Sequence, residues 1–273
     1  MHGVVFTAGG DTVQGLALVL ALGAARTVPI VWLVPAFGGR ALPFPVRLAI
    51  GALLASFSLP QLMAGAAGAL LRTPSAAALL FIAAREVMIG ATVGLVVSFF
   101  FRAAEAAGGL ADVLRGASFA EVLTPDSGRR SSPTGALYLL LATVIFLELG
   151  GVGRLSLALA RSYEALPLGS APASAAGVQA QLGLVLVASA KLIESAVGLA
   201  APVIVALLLA DLALGVVGRV TPALPVYFAA MPLKAVLSVG IVLLGLGALD
   251  AALVAGWPAW LALAERGLGL HSR

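Results

Sequence analysis

Long apolar stretches separated by short polar or proline-containing segments are the dominant pattern of this sequence. Six stretches reach the length of about 20 residues that a helix needs to cross a hydrocarbon core of about 30 Å. They cover residues 13–37, 48–71, 75–101, 134–158, 182–217 and 228–264. The last two exceed a simple span, so we expect them to tilt or break. Because backbone groups in lipid must be paired within the chain, the pattern predicts an all-α fold, a polytopic membrane protein with about six long, partly broken hydrophobic helices.

The composition agrees with a membrane protein. Hydrophobic residues make up 61% of the 273 positions and charged residues only 10%, which is far from the proportions of a soluble domain. The 16 lysines and arginines are scattered singly along the chain. No basic stripe is therefore available to follow a phosphate backbone, and nucleic acid is not an expected partner.

Enzyme chemistry finds little support in the sequence. The two histidines, His2 and His271, lie at the ends of the chain, so a serine–histidine pair or a histidine metal site inside the membrane would lack its base or ligand. Neither an H-E-x-x-H motif nor a G-x-x-x-x-G-K-[ST] phosphate loop occurs. We therefore predict that the chain is not an enzyme and holds no metal ion or cofactor.

The third apolar stretch carries a stripe of polar and small residues along one helical face. Steps of three or four residues from Glu86 follow this face to the end of the stretch and beyond it. The members that we expect to pack against another helix are Glu86, Gly90, Gly94, Ser98 and Glu105. Small residues let helix backbones approach closely, and a charge at bilayer depth must face protein or water. The stripe therefore predicts a helix–helix contact or the wall of a watery cavity.

Charged residues inside or beside the apolar stretches are candidates for buried charges or subunit contacts. They are Arg85, Lys191, Glu194, Asp211 and Lys234. Lys191 and Glu194 are three residues apart, so they can form a structural ion pair or take a functional role. Asp211 has no opposite charge on its own helix before Arg219, about 12 Å along the axis. It must find a partner elsewhere, either by pairing or as part of a proton relay.

Region 111–133 is the longest polar interruption of the chain, and it encloses a short apolar patch. It belongs to an ordered set of motifs between residues 75 and 240. These are REVMIG from Arg85, AAEAAGGLADVLRGAS from Ala103, TPDSGRRSSPTG from Thr124, FLELGG from Phe146, SYEALP from Ser162 and MPLK from Met231. In order and spacing, the set resembles the FliR/SctT family of type III secretion export-apparatus proteins.

The resemblance implies a core component of the export gate in the bacterial inner membrane, within the basal body of the secretion system. With SctR/FliP-like and SctS/FliQ-like subunits, such a protein forms a helical assembly through which unfolded substrates pass. The further partners implied are an SctU/FlhB-like switch protein and an SctV/FlhA-like export protein. The resemblance also implies two parts of the chain, an SctR/FliP-like part at 1–180 and an SctS/FliQ-like helical hairpin at 181–273.

A plug loop at 108–122 is the functional element that the resemblance implies. Its matching and sealing residues are Gly108, Gly109, Asp112, Arg115, Gly116, Phe119 and Val122. Glycines permit tight backbone bends, and apolar side chains can seal a pore against ions. Arg115 can pair with Asp112 or with an acid of a neighbouring subunit. The alternative is an ordinary solvated loop that contains an apolar patch.

The family has two branches, and the runs DVLRGAS at 112–118 and MPLK at 231–234 are more similar to the injectisome branch than to the flagellar one. Residues 222–227, PALPVY, depart from the family's common Pro-Gln-Leu-Asn-Val-Phe, so contacts through those amides are not expected here. Outside the family, the alternative is a secondary transporter for a small solute, although the halves differ in segment length and charge placement where transporters tend to repeat. A scaffold that does not line the pore is a third interpretation.

Overall fold

The computed structural model describes residues 10–38, 42–66, 75–116, 132–168, 175–220 and 226–270. This part of the chain is helical and contains no strand, so the predicted all-α class is confirmed. In chain order the helices are α1 (Gly10–Leu33), a short 3₁₀ helix (Pro35–Phe37), α2 (Phe44–Phe57), α3 (Leu59–Ala66), α4 (Ala76–Leu114), α5 (Pro133–Glu148), α6 (Gly151–Ala165), α7 (Ala175–Val220) and α8 (Val226–Gly267).

The expected number of about six membrane helices is slightly too high. Within the described ranges, four helices are long and apolar enough to cross a membrane: Gly15–Leu33, Ala76–Leu114, Ala176–Val220 and Ala230–Gly267. The number rises to five if α5 and α6, which meet at 64°, form one broken span. Gly150, between these two helices, has φ +65°, a left-handed conformation that suits glycine at a sharp change of direction.

The predicted span at 48–71 is divided in the part of that range that the structure describes. α2 ends at Phe57, and the Ser58 backbone N–H donates to the Ala55 carbonyl at 3.1 Å in a turn. α3 then begins with Leu59 and Pro60, and proline fits the first turn of a helix because its missing N–H needs no partner there. The two helices have 14 and 8 residues, which is too short for a bilayer.

The third predicted stretch ends later than expected, because α4 continues past Phe101 to Leu114. Residues 102–114 are rich in alanine and leucine, both strong helix formers, so their polar neighbours do not end the helix. An ion pair between Arg102 and Glu105, with 2.5 Å between nitrogen and oxygen, lies along the exposed side of this extension. Hydropathy alone detects the apolar part of such a helix and misses the rest.

The chain contains two compact units, each composed of separate segments. Unit 1 comprises Met1–Ser98, Phe146–Ser189 and Ala259–Arg273. In it, α1 packs against α2 and α3, and α3 packs against α6. Leu62 of α3 and Tyr163 of α6 are fully buried there. One side of α1 is thus covered by short helices.

Unit 2 comprises Phe99–Ile145 and Ala190–Pro258. Its aromatic cluster places the ring of Phe100 5.2 Å from that of Phe101 and 5.4 Å from that of Trp257, measured between centroids. Few residues in the apolar spans of α7 and α8 are buried, and the exposed fraction of Leu244 is 90%. This surface is available to lipid or to other membrane helices.

Candidate functional site

Asp112 connects described residues on the two sides of segment 117–131. Its carboxylate accepts hydrogen bonds from the Ser132 hydroxyl (2.6 Å), the Thr134 hydroxyl (2.6 Å) and the Thr134 backbone N–H (3.0 Å). Arg115 forms an ion pair with the same carboxylate at 2.7 Å. We call these four residues the Asp112 clamp. The clamp holds the C-terminal end of α4 at the N-terminal end of α5, where the helix dipole favours a negative charge.

The local sequence explains why α5 begins at the clamp. Ser132 precedes Pro133, and proline is well suited to the first position of a helix. The Ser132 hydroxyl accepts a hydrogen bond from the Gly135 N–H at 2.9 Å, which satisfies one of the free N–H groups of the first turn. Asp112 accepts the N–H of Thr134. Side chains from the beginning of α5 and from the end of α4 therefore cap this helix together.

The described part of the predicted plug loop is mostly helix. Residues 108–114 belong to α4, and Arg115 and Gly116 form a turn. Gly116 has φ +84°, a left-handed conformation that commonly ends a helix at glycine. Phe119 and Val122 lie outside the described residues. The loop therefore begins after Leu114, and the position of Asp112 is fixed by a helix.

Gly108 allows close packing between α4 and α5. A Cβ atom at this position would overlap the backbone of Thr134. At Gly135, on the facing helix, a Cβ atom would lie 2.8 Å from the Glu105 carbonyl oxygen. Gly109 has more room, since its Cβ would meet only the Ser132 hydroxyl oxygen at 3.8 Å. The close approach of the α4 and α5 backbones next to the clamp thus depends on Gly108 and Gly135.

Two glycines of the polar stripe lie against α1. A Cβ atom on Gly90 would overlap the carbonyl oxygen of Arg26, and one on Gly94 would lie 2.9 Å from the Cα of Ile30. Ser98, farther along the stripe, is buried. The backbones of α1 and α4 therefore touch through glycine, the kind of contact on which helix association in lipid depends.

Arg26, which the sequence analysis did not single out, lies fully buried in unit 1. Its Nε donates to Glu86 Oε2 at 2.6 Å, and the two side chains form an ion pair. Nη1 donates to the Ser162 hydroxyl oxygen at 2.8 Å, and Nη2 donates to the Leu166 carbonyl at 3.0 Å. The guanidinium carbon lies 4.2 Å from the centre of the Tyr163 ring, within cation–π range. Arg26 thus connects α1 to α4 and to α6.

A signal for this network is present in the sequence. Arg26 is the single charged residue of stretch 13–37, and Glu86 is the single acid of stretch 75–101. Two opposite charges at bilayer depth on different helices each need a partner. Matching them would have predicted the contact between α1 and α4. Ser162 and Tyr163 belong to the SYEALP motif, and the network gives that motif a structural role.

Asp211 pairs with Lys234 of the MPLK motif. The Asp211 side chain is 45% exposed and that of Lys234 is 16% exposed, so the pair lies near the surface of unit 2. In unit 1, Gln181 near the start of α7 donates to the carbonyl of Gly267 at the end of α8, at 2.9 Å. Polar contacts therefore connect α7 and α8 in both units.

The remaining predicted residues lie outside these networks or at their edge. Arg85 is mostly buried, and its Nη1 is 4.0 Å from Glu86 Oε1. On α7, Lys191 is half-buried and Glu194 is exposed. Glu105 is partly exposed and forms its ion pair within α4. In the part of the chain that the structure describes, no group of three or more His, Cys, Asp or Glu residues could hold a metal ion.

Comparison with known protein families gives a match over most of the chain. The family model described as "Bacterial export proteins, family 1" matches residues 17–256. The chain belongs to this family. The match includes the Arg26 network and the Asp112 clamp, and it confirms the FliR/SctT family that the motifs predicted. With its four to five apolar helices, this member of the export family is a multi-pass protein of the bacterial inner membrane.

The relatives that align with this chain include proteins named for secretion or translocation and proteins named for flagellar biosynthesis. The chain is 32% identical to the Yop proteins translocation protein T of Yersinia pestis over 161 residues, 59% of this chain and 60% of that protein. It is 33% identical to the secretion system apparatus protein SsaT of Salmonella typhimurium over 152 residues, 56% of this chain and 58% of that protein. It is 29% identical to the flagellar biosynthetic protein FliR of Caulobacter vibrioides over 238 residues, which are 84% of this chain and 88% of that protein. The chain spans less than two thirds of the first two relatives and most of the third.

Proposed function

We propose that the chain is a core membrane component of the type III protein secretion export gate. With SctR/FliP-like and SctS/FliQ-like subunits, it forms the pore through which unfolded effector and needle substrates cross the inner membrane. Residues 1–180 act as the SctR/FliP-like part and residues 181–273 as the SctS/FliQ-like hairpin, next to the SctU/FlhB-like and SctV/FlhA-like proteins. The family match and the names of the relatives support this function. Such a subunit conducts a polypeptide and carries out no reaction, so no enzyme activity is proposed.

The observation that carries the proposal is the Asp112 clamp. One carboxylate anchors both ends of segment 117–131, through Arg115 on one side and through Ser132 and Thr134 on the other. A segment with anchored ends can leave a pore and return to it at little entropic cost, because its ends stay together. We assign this segment the role of plug, with Phe119 and Val122 as the apolar seal against ions.

Co-purification tests the function directly. The tagged chain is co-expressed with the neighbouring membrane-protein genes of its own genome, extracted in mild detergent and analysed by mass spectrometry. We expect SctR/FliP-like and SctS/FliQ-like subunits in a fixed ratio, while an unrelated tagged multi-pass protein of the inner membrane recovers neither. Recovery of the chain alone or as a homodimer, despite expression of both candidates, would contradict the proposal and favour the solute transporter.

The branch of the family is a separate proposal. The DVLRGAS and MPLK runs favour the injectisome branch, whereas the alignment with the Caulobacter flagellar protein covers more of the chain than the alignments with the Yersinia and Salmonella proteins. Deletion of the gene distinguishes the two. Loss of effector secretion with normal swimming supports the injectisome branch, and loss of swimming with normal effector secretion supports the flagellar one.

A further inference from the structure

Arg47 in the first turn of α2 is a nearly buried cation for which the described residues provide no counter-charge. Arg47 is 8% exposed, and its Nε has no hydrogen-bond partner among the described residues. No acid of the described part of the chain forms an ion pair with it. The contact that the structure gives its guanidinium is with the ring of Trp32, at 5.1 Å from the centroid. A cation removed from water needs a negative partner, and none of the described residues provides one, so the site is open to an anion from another molecule.

The N-terminus of α2 adds positive potential at the same place. The helix begins at Phe44 after Pro43, with no side-chain cap and no acidic residue in its first turn. The Val46 and Arg47 backbone N–H groups donate to the Pro43 carbonyl, and Pro45 has none to offer. The positive end of the helix dipole is therefore what favours an anion here. Since Arg47 belongs to the same turn, its charge and the helix dipole act on the same small volume.

An apolar groove begins beside this cation. It has a volume of about 700 Å³ and runs along α1 and α2, where its lining includes Ala21, Ala25, Val28, Trp32 and Leu48. Pockets for small molecules typically measure about 300–1,000 Å³. Trp32 is 49% exposed, so the groove is open to whatever surrounds the chain. The ring of Trp32 lines the groove and also contacts the guanidinium of Arg47.

The position along α1 places these features at different depths of the membrane. The span Gly15–Leu33 has 19 residues, or about 28 Å of helix, close to the hydrocarbon thickness of about 30 Å. A helix of this length that crosses the bilayer brings Trp32, one residue before its end, to the membrane–water interface, where tryptophan is enriched. The ring of Phe44 packs edge-on against the Trp32 ring, with 5.7 Å between the centroids. From Trp32 back to Ala21 the groove extends about 16 Å toward the bilayer interior.

We propose that this groove is a binding site for one anionic phospholipid. The phosphate lies on the Arg47 guanidinium and the N-terminus of α2, and one acyl chain lies in the groove along α1. A free phosphate ion would neutralise Arg47 but would leave the apolar groove empty. A helix of a partner protein would fill the groove, but no acid on such a helix is identified to pair with Arg47. The phospholipid satisfies both. This inference depends only on the membrane location and is independent of the export-gate function.

Fluorescence quenching by brominated lipids tests the site, because Trp32 forms its wall. The full chain is reconstituted in phosphatidylcholine vesicles that contain either brominated phosphatidylglycerol or brominated phosphatidylcholine, and a Trp32→Phe variant supplies the signal of the other two tryptophans for subtraction. We expect phosphatidylglycerol to bind beside Trp32 with an affinity about tenfold above that of phosphatidylcholine, as for one charge-assisted contact. Arg47→Gln should abolish the preference, and Arg47→Lys should retain part of it.

Control variants and competitors decide the outcome. Arg154→Gln removes an exposed arginine of α6 and should leave the preference unchanged. Equal quenching by the two lipids in the unaltered chain, or an unchanged preference in Arg47→Gln, would overturn the proposal. Loss of the preference in millimolar inorganic phosphate would instead assign the site to a free anion. Loss of quenching at Trp32 after co-assembly with the partner subunits would assign the groove to a protein helix.

Discussion

At the scale of single residues, one arginine organises unit 1. Arg26 contacts Glu86, Ser162, the Leu166 carbonyl and the Tyr163 ring, so most of its donors are used although no water reaches it. Both short contacts with Glu86 go to Oε2, while Oε1 has no hydrogen-bond partner among the described residues. The pair is therefore sensitive to any change that removes one of its two charges.

We expect Glu86→Gln to lower the free energy of unfolding by about 3–5 kcal/mol, because it leaves the Arg26 charge buried without a counter-charge. Removing both charges in Arg26→Met with Glu86→Leu should be less costly than the single change, since no lone charge remains. Denaturant titration of the purified chain in mixed micelles, followed by circular dichroism, measures the effect. Glu105→Gln, in a partly exposed pair, serves as the control and should cost at most about 1 kcal/mol. Equal losses in Glu86→Gln and in the control would contradict the role of the network.

At the scale of elements, the important feature is the joint between α4 and α5. α4 is a continuous helix of 39 residues, and its last turns present Asp112 to the N-terminus of α5 while Gly108 lets the two backbones approach. The clamp is therefore positioned by helix geometry. The clamp thus holds together the described residues on either side of segment 117–131, Asp112 and Arg115 of the α4 end with Ser132 and Thr134.

We predict that Asp112→Ala lets ions leak through the closed, assembled gate, because the segment 117–131 loses the anchor of both its ends. Phe119→Gly should leak as well, since the proposed seal loses its apolar contact. Glu105→Ala, two turns earlier on α4, is the matched control and should remain tight. Ion flux across inverted membrane vesicles that contain the assembled gate provides the measurement, with the amount of co-purified partner subunits as the check on assembly. Normal assembly together with an intact ion barrier in Phe119→Gly would contradict the plug assignment.

At the scale of the whole molecule, the chain exposes more apolar surface on α7 and α8 than on its other long helices. The exposed large side chains of these two helices include Leu186, Val236 and Leu244, with exposed fractions of 72%, 73% and 90%. In a membrane this surface can face lipid without cost, so exposure alone does not identify a partner. The proposed gate requires that part of it be covered by other subunits.

The absence of cysteine from the sequence makes this coverage measurable. We expect Leu244→Cys to react with a membrane-permeant maleimide in the isolated chain and to become at least about tenfold slower after co-assembly, because a packed interface excludes the reagent. Ala200→Cys, at a position that is fully buried, should react slowly in both states. An unchanged rate at position 244 in the assembled complex would place that face against lipid and remove it from the proposed subunit contact.

The fold class, the membrane location and the family follow from local features of the sequence. Runs of apolar residues and ordered motifs are local properties, readable without knowing which helices meet. The sequence also identified Glu86 and Gly90 as polar or small positions of one helical face, but it placed Asp112 in a loop and ended α4 too early. Stretch 48–71 was predicted as one span because hydropathy does not detect the turn at Ser58 that separates α2 from α3.

Which of these residues act together depends on how the helices pack. Glu86 finds Arg26 across 60 residues of sequence, and Asp112 finds Thr134 across 22. Asp211 takes Lys234 from the next helix, where the sequence had left pairing and a proton relay open. Such partners depend on the register in which helices pack. In the first two pairs of helices a glycine lies close to the facing backbone, Gly90 against Arg26 and Gly108 against Thr134. The periodicity of a single helix does not specify this register, because the register depends on the surfaces of both helices.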